Sequence, residues 1–200
     1  MPTSIPVDVD VLRSEIQKTY TEVSTRPGGE FIFPTGRKWA EELGYPDQLA
    51  RVPDASVESF AGVANPFSLG RLEPGQVVLD LGCGAGTDLL VAAQMVGPQG
   101  HAIGVDMTPT MLERARASAG EMGLDNVELH ECMIESLPVP DASVDVVISN
   151  GVIDLVPDKD AVFSEIDRVL PPGGRLQVAD VVIHTEVSED ARARIDLWTG

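Results

Sequence analysis

The chain is poor in the features that staple a small fold, grip a polyanion or cross a bilayer. It has two cysteines in 200 residues, Cys83 and Cys132, too few for the disulfide framework of a small secreted protein. Basic residues are scarce: 14 lysines and arginines against 32 aspartates and glutamates give a net charge of −18. A surface of that sign repels phosphate backbones and anionic lipid, which argues against nucleic acid as a partner and leaves solubility as the plain role of the acidity. No apolar run approaches the ~20 residues that a membrane-spanning helix needs, so no membrane association is expected. Met1 to Asp10 has neither a basic head nor an apolar stretch, so no signal peptide is expected and the expected compartment is cytoplasmic. The three histidines, His101, His130 and His184, have no partner fixed by spacing, and each is expected to be structural. No metal site and no evident general base remain. There is no internal repeat and no low-complexity tract. A hydrophobic content of 43% is ordinary for a globular chain, and the length suits one domain with a small appendage.

One stretch stands out. Val77-Val78-Leu79-Asp80-Leu81-Gly82-Cys83-Gly84-Ala85-Gly86 is an apolar strand running into an acid and then glycines at alternate positions. Glycines let the backbone turn sharply and approach a ligand where a Cβ would collide. A dinucleotide fingerprint would need its third glycine at position 87, where this chain has Thr87. No lysine follows the glycines, which excludes a phosphate-gripping Walker loop. A second acid, Asp106, closes the next strand, Ala102-Ile103-Gly104-Val105. There it is placed to accept hydrogen bonds from both hydroxyls of a ribose.

Before this stretch, Leu12, Ile16, Tyr20 and Val23 form one apolar face of a helix. Arg26-Pro27-Gly28-Gly29 breaks it. Thr35 is expected to cap a short helix through Leu43, and Pro53-Asp54 to start another. From about Arg71 strands and helices alternate. Strands are expected over 76–81, 101–106, 126–130, 144–149 and 175–183. Helices are expected over 87–96, from Thr108-Pro109 to Gly123, and over 157–170. This alternation predicts an α/β fold with a mostly parallel, doubly wound sheet and the ligand at the carboxyl ends of its strands. Residues 1–70 are expected to form a helical cap, 71–185 the cofactor-binding core, and 186–200 the start of a truncated helix.

The stretch from Gly62 to Val182 resembles bacterial arsenite methyltransferases, within the Rossmann-like S-adenosylmethionine-dependent class. The reminders are Asn65-Pro66, the Asp80 to Gly86 glycine pattern, Gly104-Val105-Asp106-Met107-Thr108-Pro109, Arg168 to Gly174, and above all Ser149-Asn150-Gly151-Val152-Ile153-Asp154-Leu155-Val156-Pro157-Asp158-Lys159. The resemblance implies S-adenosyl-L-methionine as cofactor and a small-molecule methyl acceptor. It also implies a C-terminal edge hairpin, for which the chain has no room. The fifth strand is therefore expected to be an exposed apolar edge, which a homodimer would cover. In the arsenite enzymes, thiols that bind trivalent arsenic stand where this chain has Val63 and Gly151. Soft trivalent arsenic needs thiolates, so arsenite itself is not expected to be the acceptor.

The resemblance assigns roles residue by residue. Gly82, Cys83, Gly84 and Gly86 offer backbone to the methionine part of the cofactor, and Asp80 orients that loop and the ammonium group. Asp106 holds the ribose. Met107 lies on an adenine face, while Met133, Ile134 and Glu135 line the adenine. Asn150 contacts the methionine part. Tyr20 closes over the cofactor, with plain core packing an equal alternative. Cys83 and Cys132 are expected to pack as small apolar fillers. Asp154 is the one polar candidate for the acceptor region, to bind an amine or take a proton. A second reading stays open: a cofactor-binding module or fragment that lacks acceptor chemistry and needs a partner chain.

Overall fold

The computed structural model describes residues 7–29, 31–185, 188, 194, 195 and 198. Five apolar segments pair into one sheet: β1 (Val77–Leu81), β2 (His101–Asp106), β3 (Val127–Glu131), β4 (Val146–Asn150) and β5 (Arg175–Ala179). All pairings are parallel, in the order β3-β2-β1-β4-β5. The chain reverses direction across the sheet at β1, which opens a crevice at the carboxyl ends of β1 and β4.

Side chains alternate between the two faces of the sheet. Leu79, Leu81, Ile103, Val105 and Val147 pack against Val162, Ile166 and Val169 of α6 (Lys159–Val169). Val78, Val146 and Ile148 pack on the other face against Ala92 and Val96 of α4 (Thr87–Val96). A helix that is apolar all round must be buried all round, and α4 is: Leu89, Leu90, Val91, Ala92 and Ala93 are each at most 1% exposed. Its second face meets the N-terminal segment. Leu90 and Val91, with Ala119 of α5 (Pro109–Glu121), share a cluster with Ala40, Leu49, Val52, Val57 and Phe60.

That segment holds α1 (Val9–Thr25), α2 (Arg37–Glu42), α3 (Asp54–Val57) and two 3-10 turns, Asp47–Arg51 and Pro66–Leu69. Asp8 caps α1 by accepting from the amides of Asp10 and Val11. Leu12, Ile16 and Val23 are buried along one face of the helix. Gln177 straps the 66–69 turn to β5, its Nε2 donating to the carbonyls of Pro66 (2.8 Å) and Gly70 (3.0 Å).

Several boundaries differ from expectation. Thr35 does not cap α2. Gly36 does, at φ +90°, with its amide bonded to the Phe60 carbonyl. Thr108 stands at the N-cap of α5 but makes no side-chain cap bond, its hydroxyl bonding Asp106, whose Oδ1 also takes the Thr108 amide at 2.8 Å. Helix α6 starts after Asp158, whose carboxylate accepts from the Ala161 amide. The fifth strand stops at Ala179 rather than Ile183. Asp180 accepts from the amides of Ile153 and Val181 and peels the chain off the sheet. Beyond it Val181, Val182 and Ile183 are exposed, and Leu176 on the edge strand is 38% exposed. The helix expected to begin within 186–200 falls mostly outside the described residues. Among the described residues no helix is long and apolar enough to cross a membrane.

Candidate active site

The carboxyl ends of β1, β2 and β4 open into a cleft with about 1030 Å³ of empty space, including its mouth. The glycine turn forms its floor. Gly82 (φ +64°) and Gly84 (φ +52°) both need left-handed backbone. A Cβ on Gly82 would run into the Val152 side chain, whereas one on Gly84 would meet only Met111 Sδ at 3.9 Å, so the loop is open there. Gly86 does not line the cleft. At φ +90° it starts α4, and a Cβ there would press on Ala115 at 2.9 Å. Its place is fixed by helix packing, not by reach to a ligand.

Every other residue expected to hold the cofactor lines the cleft: Tyr20, Asp80, Gly82, Cys83, Gly84, Asp106, Met107, Met133, Ile134, Glu135 and Asn150. Asp106 Oδ2 takes the Gly84 amide at 2.9 Å, and its Oδ1 takes that of Thr108. These bonds oppose the burial that pushes its carboxyl up. Cys83 contributes backbone only. Its side chain packs with Leu89, Ala93, Ala102 and Leu112, and burial pushes its thiol up. Cys132 is half-buried with its thiol pushed up to about 11, by burial first and then by Asp106. Neither cysteine is poised as a thiolate nucleophile.

Three assignments look different in the structure. Asn150 was expected to meet the methionine part of the cofactor, but its side chain is occupied by the protein. Its Oδ1 accepts from Val63 (2.8 Å) and Ala64 (3.3 Å). Its Nδ2 reaches Tyr45 Oη (2.8 Å), the Ala64 carbonyl (2.9 Å) and Asp88 Oδ2 (3.0 Å). It clamps the 61–64 loop to the end of β4. Glu135 is ion-paired with Arg13 of α1 at 2.9 Å, so one of its oxygens is engaged away from any adenine. Asp154 is not among the described residues lining the cleft. Its carboxyl lies beside Asp180, and burial and that neighbour push it up to about 7.

Helix α1 forms the roof. Arg13, Ile16 and Tyr20 face the cleft, and Gln17 Nε2 donates to the Met107 carbonyl at 2.8 Å. Tyr20 both lines the cleft and stacks on Phe33, with ring centroids 6.2 Å apart.

Asp88 belongs to no motif in the sequence. It sits in the first turn of α4, where an acid ordinarily complements the helix dipole from solvent. Here it is 7% exposed and lines the cleft. Asp80 Oδ2 and Asp88 Oδ1 are both buried without a hydrogen-bond partner. Buried orphan carboxylate oxygens are costly unless a ligand satisfies them. The charged lining is four acids (Asp80, Asp88, Asp106, Glu135) against one base, Arg13. Such a cleft suits a ligand that brings a ribose and positive charge. S-adenosylmethionine, with its ammonium and sulfonium, fits that description.

Fold and cleft together have the form of the Rossmann-like class of S-adenosylmethionine-dependent methyltransferases. Residues 72–198 match the family described as a methyltransferase domain, and the chain belongs to that family. Within it the chain resembles arsenite methyltransferases. The arsenite methyltransferase of Halobacterium salinarum is 46% identical over 174 residues, covering 86% of this chain and 44% of that protein. The crystal structure of the arsenic(III) S-adenosylmethionine methyltransferase of Chlamydomonas reinhardtii matches with a TM-score of 0.66 at 40% identity, over 72% of this chain and 50% of that one. A geranyl diphosphate methyltransferase solved in complex with S-adenosylmethionine matches with a TM-score of 0.53 at 28% identity, over 57% and 46%. The chain spans half or less of the length of each of these relatives.

Proposed function

We propose that this chain methylates a small-molecule acceptor held between the roof helix and the loop after β4. The observation that carries this reading is the pair of unsatisfied buried acids, Asp80 and Asp88, in a cleft also walled by Ile16, Tyr20, Val152, Leu155 and Val156. One group of residues asks for a cation, and the other excludes water. S-adenosylmethionine, when bound, supplies an electrophilic methyl carbon. The chain's own part is then placement. Asp106 and the Gly82–Gly84 turn orient the ribose and the amino-acid tail, while Met107 and Met133 flank the base. The apolar wall brings an acceptor into line, where proximity supplies much of the rate.

Arsenite is the expected negative among acceptors. The two positions that carry arsenic-binding thiols in the resembling enzymes are neighbours here, since a Cβ on Gly151 would meet Val63 Cγ1 at 3.3 Å. The place is intact, but it holds a glycine and a valine. Neither cysteine of this chain stands in for them. A second reading, a cofactor-binding core whose acceptor groups come from elsewhere, is supported by the match covering only 44% of the Halobacterium salinarum relative and 50% of the Chlamydomonas reinhardtii one.

Calorimetric titration with S-adenosylhomocysteine tests the cofactor site. Micromolar binding by the wild type, lost in Asp106→Ala, is the expected result. A folded wild type that does not bind would overturn the reading. A screen of oxygen, nitrogen, carbon and sulfur acceptors for S-adenosylhomocysteine release then separates the two readings. Turnover supports the enzyme, and binding without turnover of any acceptor supports the binding core.

A further inference from the structure

We propose that Asp88 is a cofactor-binding residue that, together with Asp80, seats the ammonium group of the cofactor's amino-acid tail in exchange for a proton released to solvent. This rests on the reading above that the cleft holds S-adenosylmethionine.

The geometry leaves these two acids nowhere else to turn. Asp80 ends β1 and is 2% exposed; Asp88 opens α4 and is 7% exposed. Each has one oxygen in use: the Leu89 amide bonds Asp80, and Asn150 Nδ2 bonds Asp88 Oδ2 at 3.0 Å. The other oxygen of each, Asp80 Oδ2 and Asp88 Oδ1, is buried and unpartnered. The groups that face the pair bring no positive charge. They are Asp106 at the end of β2, the Cys83 thiol on the glycine turn, and the Tyr45 hydroxyl and Asn150 amide at the cap loop. Arg13, the single cation of the lining, is paired with Glu135.

Two buried carboxylates so placed cannot both ionise without a counter-charge. Burial pushes Asp80 well up, with the charges of Asp88 and Asp106 adding to it. Burial pushes Asp88 up to about 6 against the hydrogen bonds of Tyr45 and Asn150. The empty pair therefore keeps a proton. A ligand ammonium replaces it: the carboxylic acid loses its proton to buffer, and the resulting carboxylate accepts hydrogen bonds from the ammonium. No other bond changes. The sign follows from linkage. Binding that releases a proton strengthens as pH rises through the range in which the empty pair still holds one, and levels off once the pair is already ionised.

Two ligands separate this seat from the rest of the site. S-adenosylhomocysteine carries the ammonium, whereas 5′-methylthioadenosine keeps adenine, ribose and sulfur without it. Both are titrated calorimetrically into the wild type at pH 6.0 and 7.5, each in two buffers of unlike ionisation enthalpy. We expect net proton release on binding S-adenosylhomocysteine at pH 6.0, and none for methylthioadenosine. In Asp88→Asn the amide oxygen still accepts from Asn150, so the network survives. That variant should weaken S-adenosylhomocysteine by more than about tenfold, the worth of a hydrogen bond to a charged group, and methylthioadenosine by less than about twofold. Binding of both ligands without proton release in the wild type would overturn this inference alone, as would equal weakening of both in a folded variant. If Asp88→Asn does not fold, the wild-type proton counts decide. Failure of the wild type to bind S-adenosylhomocysteine would overturn the cofactor reading and this inference with it.

Discussion

Replacing Asn150 by alanine should loosen the cap from the sheet. The side chain offers two acceptances to Val63 and Ala64, and donations to Tyr45, Ala64 and Asp88. An amide nitrogen has two protons, so at most four of these bonds are made at once. Each is worth about 1 kcal/mol net, and partly buried groups left unpaired cost more. Water entering the vacated space recovers some of this, which leaves a loss of roughly 3 kcal/mol. For a chain of this size that lowers Tm by roughly 6–12 °C. Scanning calorimetry of the wild type and Asn150→Ala reads it directly. The variant should also bind S-adenosylhomocysteine more weakly, because Asp88 loses its fixed partner. A fall in Tm of less than about 2 °C would refute the clamp, since the estimate permits no such small value.

Three other outcomes follow from single features. Gly82→Ala combines left-handed backbone with a collision against Val152, and should cost about 2–4 kcal/mol and abolish S-adenosylhomocysteine binding. Gly97→Ala, at φ +67° with nothing within 4 Å, should cost only about 1–2 kcal/mol and leave binding intact. Equal effects from the two in urea melts and titration would refute the steric reading. Glu165 is held down to about 2, first by its two-pronged bond to Arg168 and then by the Leu137 amide. A lowered carboxyl stabilises above its ordinary range and loses that contribution as pH falls toward 2. The Tm gap between wild type and Glu165→Gln should therefore be present at pH 7 and shrink below pH 4; a constant gap would count against it. With a net charge of −18, self-repulsion is screened as salt shortens the Debye length from ~10 Å at 0.1 M to ~3 Å at 1 M. Tm should rise across that range, and a fall would refute it.

The sheet was legible because its strands are short apolar runs punctuated by glycine, proline and aspartate. Helix α4 and strand β2 lie where the pattern put them, and the others, β5 apart, shift by a residue or two. β5 read too long because Val181-Val182-Ile183 continues the apolar run. The break comes from Asp180, which bonds backbone far away in sequence. The cap was poorly legible because its short helices are set by contact with α4 and α5, not by their own propensity. In the site, Asp106 and the glycines follow from spacing alone. Asp88 does not, since a first-turn acid is commonplace and only the cap lying over it makes it a buried one. Asn150 lies in the cleft, and its side-chain bonds to the 63–64 loop, Tyr45 and Asp88 could not be read from spacing, which gives position but not which partner claims a side chain.

The strap from Gln177 to the 66–69 turn has a consequence for how the molecule comes into being. Residues 1–70 are synthesised before the core, yet several of the groups that hold them lie far along the chain. Arg13 waits for Glu135, Gln17 for Met107, the 63–64 loop for Asn150, and Pro66 for Gln177, separations of 122, 90, 87 and 111 residues. Loop closure over such distances comes late in folding. The roof and its following loop are therefore synthesised before the partners that seat them, and they close over the cleft only once those partners are in place.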